Sequence, residues 1–287
     1  MLIYPKSNFF SYIGGDSKNS VSADSLLQSN RYYELNYMAK KNSDSNSKER
    51  FEKALLELSE SSNLFKLNHP PEGNPSSNKT KKIISHKYRF IYVEVPKAAS
   101  RTILRVLRRG DLEIQSSTIP LSELLESEPD LKKYHRFSSV RNPWSRLVST
   151  WRNKILDPEN PQIVNNTRGL QKGMKFADFL EVLMNSPIGN DLFADRHWKS
   201  QYTFISDQDG NPLVDTICRM ENLAEDLQQV FEVIGLPDLI PDSLPRLNVT
   251  RKKDEDFFTY REYFSPEQKN QVSRRYSTDI MNFDYSF

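Results

Sequence analysis

The sequence predicts an α/β domain with a largely parallel central sheet, preceded by a polar N-terminal extension. Three β-rich runs are each followed, after a short loop, by apolar residues at helical spacing; such alternation gives parallel pairing because crossover helices cover the sheet faces. The residues before the first run are instead rich in Ser, Asn, Asp and Lys. We read 1–81 as the extension and 82–287 as the globular domain.

Within the extension, Asn46 and Glu49 form a capping-box pattern, and Phe51, Ala54, Leu55 and Leu58 fall on one helical face. One amphipathic helix is expected there. Asn68 to Lys82 contains three prolines and reads as a linker or surface wrap. The first strand is Tyr88 to Val95, ended by Pro96. Its helix buries Ile103, Val106 and Leu107 and stops at Gly110. The second strand, Arg136 to Val140, leads to a helix capped by Asn142 with Pro143 in its first turn. Trp144, Leu147, Val148, Trp151 and Ile155 form its core face. The third strand, Val214 to Cys218, precedes a helix that buries Leu223, Leu227, Val230, Phe231 and Ile234 before Gly235.

Composition narrows the function. With 40 basic and 38 acidic residues the net charge is only +2, which does not describe a general nucleic-acid or anionic-membrane binder, so any basic site is local. No stretch approaches the roughly 18 apolar residues of a membrane span, and Met1 to Gly15 lacks the layout of a secretory signal. The lone Cys218 forms no internal disulfide and no multi-cysteine metal site, which suggests a reducing compartment. A soluble, cytoplasmic protein is expected.

Ligands of such sheets bind at the carboxyl ends of the strands. Two segments stand there. Pro96-Lys97-Ala98-Ala99-Ser100-Arg101-Thr102 leaves the first strand and opens a helix, so backbone N–H groups, the helix dipole and Lys97 face an anion. Arg141 leaves the second strand, and Ser149 follows eight positions later, on a helical stripe with Ser145 and Arg152. Taken singly, the first is also readable as an ordinary βα turn with a solvated lysine, and the second as a surface ion pair with a back-bonding serine. Together they suit a ligand with two separated phosphates.

Pro96-Lys97-Ala98-Ala99-Ser100 after a strand resembles the 5′-phosphosulfate loop of the sulfotransferases, in the carbohydrate-modifying branch of the heparan 2-O and chondroitin 4-O enzymes. Phe137 to Ser149 is similar to that family's 3′-phosphate motif. Asp195 to Gln201, Val214-Asp215, Glu221-Asn222, Tyr276 to Ile280 and Phe283 to Phe287 resemble its middle and C-terminal sections. The resemblance covers about Lys82 to Phe287. It implies a P-loop-kinase-like three-layer fold and transfer of a sulfuryl group from 3′-phosphoadenosine 5′-phosphosulfate to a hydroxyl of a carbohydrate or glycoconjugate, without a metal. Lys97 would meet the oxygen bridging phosphorus and sulfur. Ala98, Ala99, Ser100, Arg101 and Thr102 would bind the 5′-phosphate, and Arg141 and Ser149 the 3′-phosphate. Ala99 and Arg101 depart from the family, where glycine and a hydroxyl residue are common. The missing membrane anchor and disulfides of the family's lumenal members suggest a bacterial-type enzyme.

Sulfuryl transfer needs in-line positioning, charge stabilisation at the leaving phosphate, and a base for the acceptor proton. Among the four histidines, His86 and His135 lie at the amino ends of strands and His69 in the proline-rich segment. His197, beside Asp195, is the expected base; a structural histidine is the alternative, and Asp195 and Glu94 are the other candidates. Arg251, with Lys252 and Lys253, is a candidate to reach the 3′-phosphate, or else part of a solvated charge run. Trp144 and Trp151 read as core, and the sequons at Asn78, Asn165 and Asn248 as chance. The rival readings are a P-loop-like nucleotide kinase, against which the loop lacks G-x-x-x-x-G-K-[ST], and a non-catalytic nucleotide- or glycan-binding module.

Overall fold

The computed structural model describes residues 80–157, 169–186, 189, 191, 194–207, 209–239 and 259–287. The expected amphipathic helix of the extension, His69, the three sequons and Arg251 to Lys253 lie outside the described residues.

Five strands form one sheet: β1 (Lys82–Ser85), β2 (Phe90–Val93), β3 (Ile114–Ser117), β4 (His135–Val140) and β5 (Thr216–Arg219), in the order β3-β1-β2-β4-β5. β2, β4 and β5 pair in parallel, with Phe90 opposite His135 and Phe137 opposite Thr216. β1 is antiparallel to both β2 and β3. The three parallel strands match the expected runs. β1 and β3 were not expected, because four-residue strands paired by a hairpin and at an edge carry too little periodicity to be read.

Alternate residues of the strands feed two apolar layers. On one face Ile83, Phe90, Tyr92, Phe137 and Cys218 pack against α1 (Ser100–Leu107). There they also meet the later helix Leu223–Val233. On the other face Ile84, Ile91, Val93 and Val140 meet α2 (Leu121–Ser127). The helix after β4, α3 (Pro143–Trp151), packs with α4 (Phe176–Asn185) in a third cluster around Trp144, Trp151 and Phe179. The Leu223–Val233 helix is α5; α6 (Pro266–Arg275) and α7 (Ser277–Phe283) end the chain.

The helix faces lie where their periodicity put them. Every core residue expected for α3 and α5 is buried or nearly so. Asn142 caps α3 by accepting the Ser145 N–H at 3.2 Å, with Pro143 in the first turn. Gly235, at φ +75, ends α5: its N–H reaches the Glu232 carbonyl and the Leu236 N–H the Phe231 carbonyl, a Schellman turn.

The topology fixes where a ligand fits. After β2 the chain moves to the edge strand β3, and after β4 it moves the opposite way, to β5. The crevice between the carboxyl ends of β2 and β4 is therefore a topological switch point, the place where open α/β sheets bind ligands.

Candidate active site

Lys97 and Arg141 stand at that switch point, Lys97 four residues past the end of β2 and Arg141 directly after β4. Val95-Pro96 leads into a turn in which Lys97 and Ala99 both take left-handed conformations, at φ +70 and +64, before α1 starts at Ser100. Within the turn the Ala98 N–H donates to the Val95 carbonyl at 3.3 Å and the Thr102 N–H to the Ala99 carbonyl at 2.9 Å, so any anion would meet the N–H groups between them, at the helix N-terminus. The turn is braced from β4, since the Ser139 hydroxyl donates to the Ala98 carbonyl at 2.5 Å. Ala98 is fully buried, Ser100 and Thr102 are buried, and Arg101 is exposed.

The Lys97 ammonium donates to Asn153 Oδ1 at 3.1 Å. Burial first, then the charges of Arg141, Lys154, Arg101 and Arg146, push its pKa down to about 7. Every charge in that set is positive, with Arg141 the strongest, so the Lys97 turn and the Arg141 strand end carry like charges close enough to act on one another. Arg141 is only 7% exposed; its Nε and Nη2 donate to Ser145 Oγ at 3.0 and 2.8 Å. Its backbone is locked by Gln201: Arg141 N donates to Gln201 Oε1 at 2.9 Å, and Gln201 Nε2 donates to the Arg141 carbonyl at 2.8 Å. Ser149 is half-buried two turns along α3. Arg152 of the same stripe donates to the Tyr263 hydroxyl at 2.8 Å.

Asn153 and Lys154 were not singled out from the sequence. They lie on a π-helical turn, Arg152–Leu156, that extends α3 and is held by Lys172 Nζ on the carbonyls of Lys154 and Asp157. A π-turn widens the helix and re-aims its side chains, often at functional sites, and nothing in the residue spacing announces it.

His197 and Asp195 form a dyad. His197 Nδ1 and the His197 backbone N–H both meet Asp195 Oδ1, at 2.5 and 2.8 Å. The His197 side chain is 12% exposed, and burial holds its pKa below the ordinary value against the opposing pull of Asp195. For Asp195, burial works upward, yet the hydrogen bonds and charge of His197 and Arg196 bring the carboxyl below its usual value. A neutral imidazole with Nδ1–H on an ionised Asp195 leaves the Nε2 lone pair for a proton. Lys154 acts electrostatically on Lys97, Asp195 and His197 alike, so the dyad and the Lys97 turn share one charged neighbour.

The other two described histidines have structural partners. His86 Nδ1 meets the Tyr134 hydroxyl and His135 Nε2 the Thr216 hydroxyl, at the amino ends of the strands. Glu94 turns to the β1 side and accepts the Lys81 N–H at 3.2 Å. Among the described residues no group of three or more His, Cys, Asp or Glu side chains is placed to hold a metal ion.

The remaining motifs support the site from below. Glu221 accepts the Asn142 N–H and the Tyr285 hydroxyl, both at 2.9 Å, and Asn142 Nδ2 donates to the Ser286 carbonyl. Phe287 packs edge-on against Trp144. Asp279 of α7 accepts the N–H groups of Gln201 and Tyr202 at 2.8 and 3.0 Å, and so steadies the residue that locks Arg141.

Residues 80–286 match the model of the sulfotransferase family. Carbohydrate sulfotransferase 11 of Danio rerio is 27% identical over 241 residues, 71% of this chain and 66% of the relative. Carbohydrate sulfotransferase 14 of Mus musculus is 27% identical over 180 residues, 54% of this chain and 46% of the relative. Carbohydrate sulfotransferase 9 of Homo sapiens is 23% identical over 231 residues, covering 69% and 47%. The match thus spans between about half and two thirds of the length of these relatives. No solved structure matches the chain. The relatives are animal proteins, which overturns the expectation of a cytoplasmic, bacterial-type enzyme. That expectation leaned on the single cysteine, and Cys218 is a wholly buried side chain of β5 in the α1/α5 layer, so it reports core packing rather than compartment. Among the described residues no helix is long and apolar enough to cross a membrane. With a family match from the first described residue almost to the last, the chain belongs to the sulfotransferase family.

Proposed function

We propose that the protein transfers the sulfuryl group of 3′-phosphoadenosine 5′-phosphosulfate to a hydroxyl of a carbohydrate or glycoconjugate. The observation that carries this reading is the pairing of Lys97 and Arg141 at adjacent parallel strand ends, each acting on the other's charge. A cluster of like charges drawn together in this way favours a polyanion. The strand, turn and helix at Phe90 to Leu107 has the layout of a nucleotide-kinase phosphate loop, with left-handed Lys97 and Ala99 in place of glycines.

In this reading the turn and first helical residues from Ala98 to Thr102 hold the 5′-phosphate, while Arg141 and Ser149 hold the 3′-phosphate. Arg251 is a further candidate for the 3′-phosphate. The acceptor oxygen forms its bond to sulfur as the bond from sulfur to the bridging oxygen breaks. His197 Nε2 takes the hydroxyl proton, Asp195 stabilises the imidazolium, and the Lys97 ammonium meets the charge that develops on the leaving phosphate. The curated relatives are named carbohydrate sulfotransferases, which supports a carbohydrate acceptor.

Calorimetry with 3′-phosphoadenosine 5′-phosphate and with ATP tests the donor, and labelled-sulfate transfer to a carbohydrate panel tests the reaction. Tight binding of the first nucleotide, lost on Arg141→Ala, is expected. Lys97→Ala should lower transfer by about 10²–10³-fold, the usual cost of one transition-state donor. Preference for ATP, or unchanged turnover in Lys97→Ala, overturns the reading.

A further inference from the structure

From Asp195 to Ser200 the backbone forms only turns, yet the carbonyls of Arg196, His197, Trp198, Lys199 and Ser200 each accept a side-chain hydrogen bond. Tyr276 OH donates to Trp198 O at 2.6 Å and Thr203 Oγ1 to Ser200 O at 2.7 Å. The other three bonds come from α3. Arg146 Nη2 donates to Arg196 O at 3.1 Å and Nη1 to Lys199 O at 2.6 Å, and the single proton of Thr150 Oγ1 is shared between His197 O at 3.0 Å and the Arg146 carbonyl of its own helix at 2.9 Å. The remaining arm of the guanidinium, Nε, donates to Pro96 O at 2.9 Å, the residue just before Lys97.

Arg146 is 2% exposed, and its hydrogen bonds all go to carbonyls. A buried cation without a contacting carboxylate is a poor device for stability, since desolvation costs several kcal/mol per ion. A guanidinium does, however, hold its donors at fixed angles in a plane, which an ammonium does not. One rigid fork therefore spans the turn that carries Lys97 and both flanks of His197.

We infer that Arg146, with Thr150 one turn later on α3, is a positioning residue that fixes the Lys97 turn relative to His197, the groups serving the leaving and the attacking oxygen. This rests on the proposed function. In-line transfer depends on that separation, and an error of about 1 Å can cost about 10²-fold in rate.

The test uses the full chain with Arg146→Lys and Thr150→Val. Arg146→Lys keeps the charge but cannot span both segments. It should bind 3′-phosphoadenosine 5′-phosphate within about threefold of wild type while kcat falls about 10²-fold. Thr150→Val should retain the fold and lower kcat about tenfold, because His197 O loses its donor. In both variants the acid limb of the kcat–pH profile should move, a change that mere loss of folded protein does not produce. A kcat within about threefold of wild type in folded Arg146→Lys or in Thr150→Val, or a loss wholly explained by donor affinity, overturns the proposal. Should Arg146→Lys fail to fold, Thr150→Val decides alone. A wild-type chain that does not bind the nucleotide sinks the functional reading itself, and the positioning role with it.

Discussion

Lys97 combines an uncommon backbone with an uncommon charge. Its left-handed φ of +70 lets the turn close without glycine, and burial beside Arg141, Lys154, Arg101 and Arg146 lowers its pKa to about 7. An anion bound against the ammonium raises that pKa again. Above pH 7 nucleotide binding should therefore take up a proton at Lys97, and affinity should fall as pH rises; well below 7 the lysine is already charged and the uptake vanishes. Calorimetry in buffers of different ionisation enthalpy measures the uptake directly, and a pH-independent affinity from about 6 to 8, about 1 unit either side of the unliganded value, would contradict it. Ala99 shares the left-handed strain at φ +64. A left-handed L-residue costs about 1–2 kcal/mol, partly offset by the unfolded-state freedom of glycine. Ala99→Gly should raise urea stability by up to about 1 kcal/mol, and a loss would show that the Ala99 methyl makes a needed contact. Lys97, Arg141 and His197 were legible because each sits at a strand end or beside an acid in sequence. Arg146 and Asn153 were not, because their partners lie about 50 residues away along the chain.

At the scale of elements, the C-terminal helices act as the frame of the site. Asp279 on α7 receives two consecutive N–H groups, one on each carboxylate oxygen, and Gln201 passes that constraint to Arg141. Asp279→Asn replaces one acceptor by an amide NH₂ facing a donor. It should cost about 1–3 kcal/mol in urea unfolding and weaken the 3′-phosphorylated nucleotide more than adenosine 5′-phosphosulfate. Equal weakening of both would detach Asp279 from Arg141. Helix faces were readable throughout α3 and α5, since a period of 3.6 is a local property of the sequence. The π-turn after α3 was not, because its register is set by Lys172 from outside the helix.

For the whole molecule, a net charge of +2 conceals a site in which Lys97, Arg101, Arg141 and Lys154 converge. A bis-phosphorylated nucleotide at about 100 times its Kd should stabilise the fold by about 2.7 kcal/mol, raising Tm by roughly 5–10 °C in low salt and by less in high salt. No shift at saturation would mean that the cationic crevice is not the binding site. By itself the sequence determined the alternation of parallel strands and helices, the helix faces and the positions of the two turns at strand ends, because each depends on neighbours within about two helical turns. Tertiary structure alone decided the antiparallel β1, the crevice between β2 and β4, and the carbonyl clamp of Arg146. Those arise where the order of strands and distant side chains meet, and a linear pattern carries no record of which distant donor will find which acceptor.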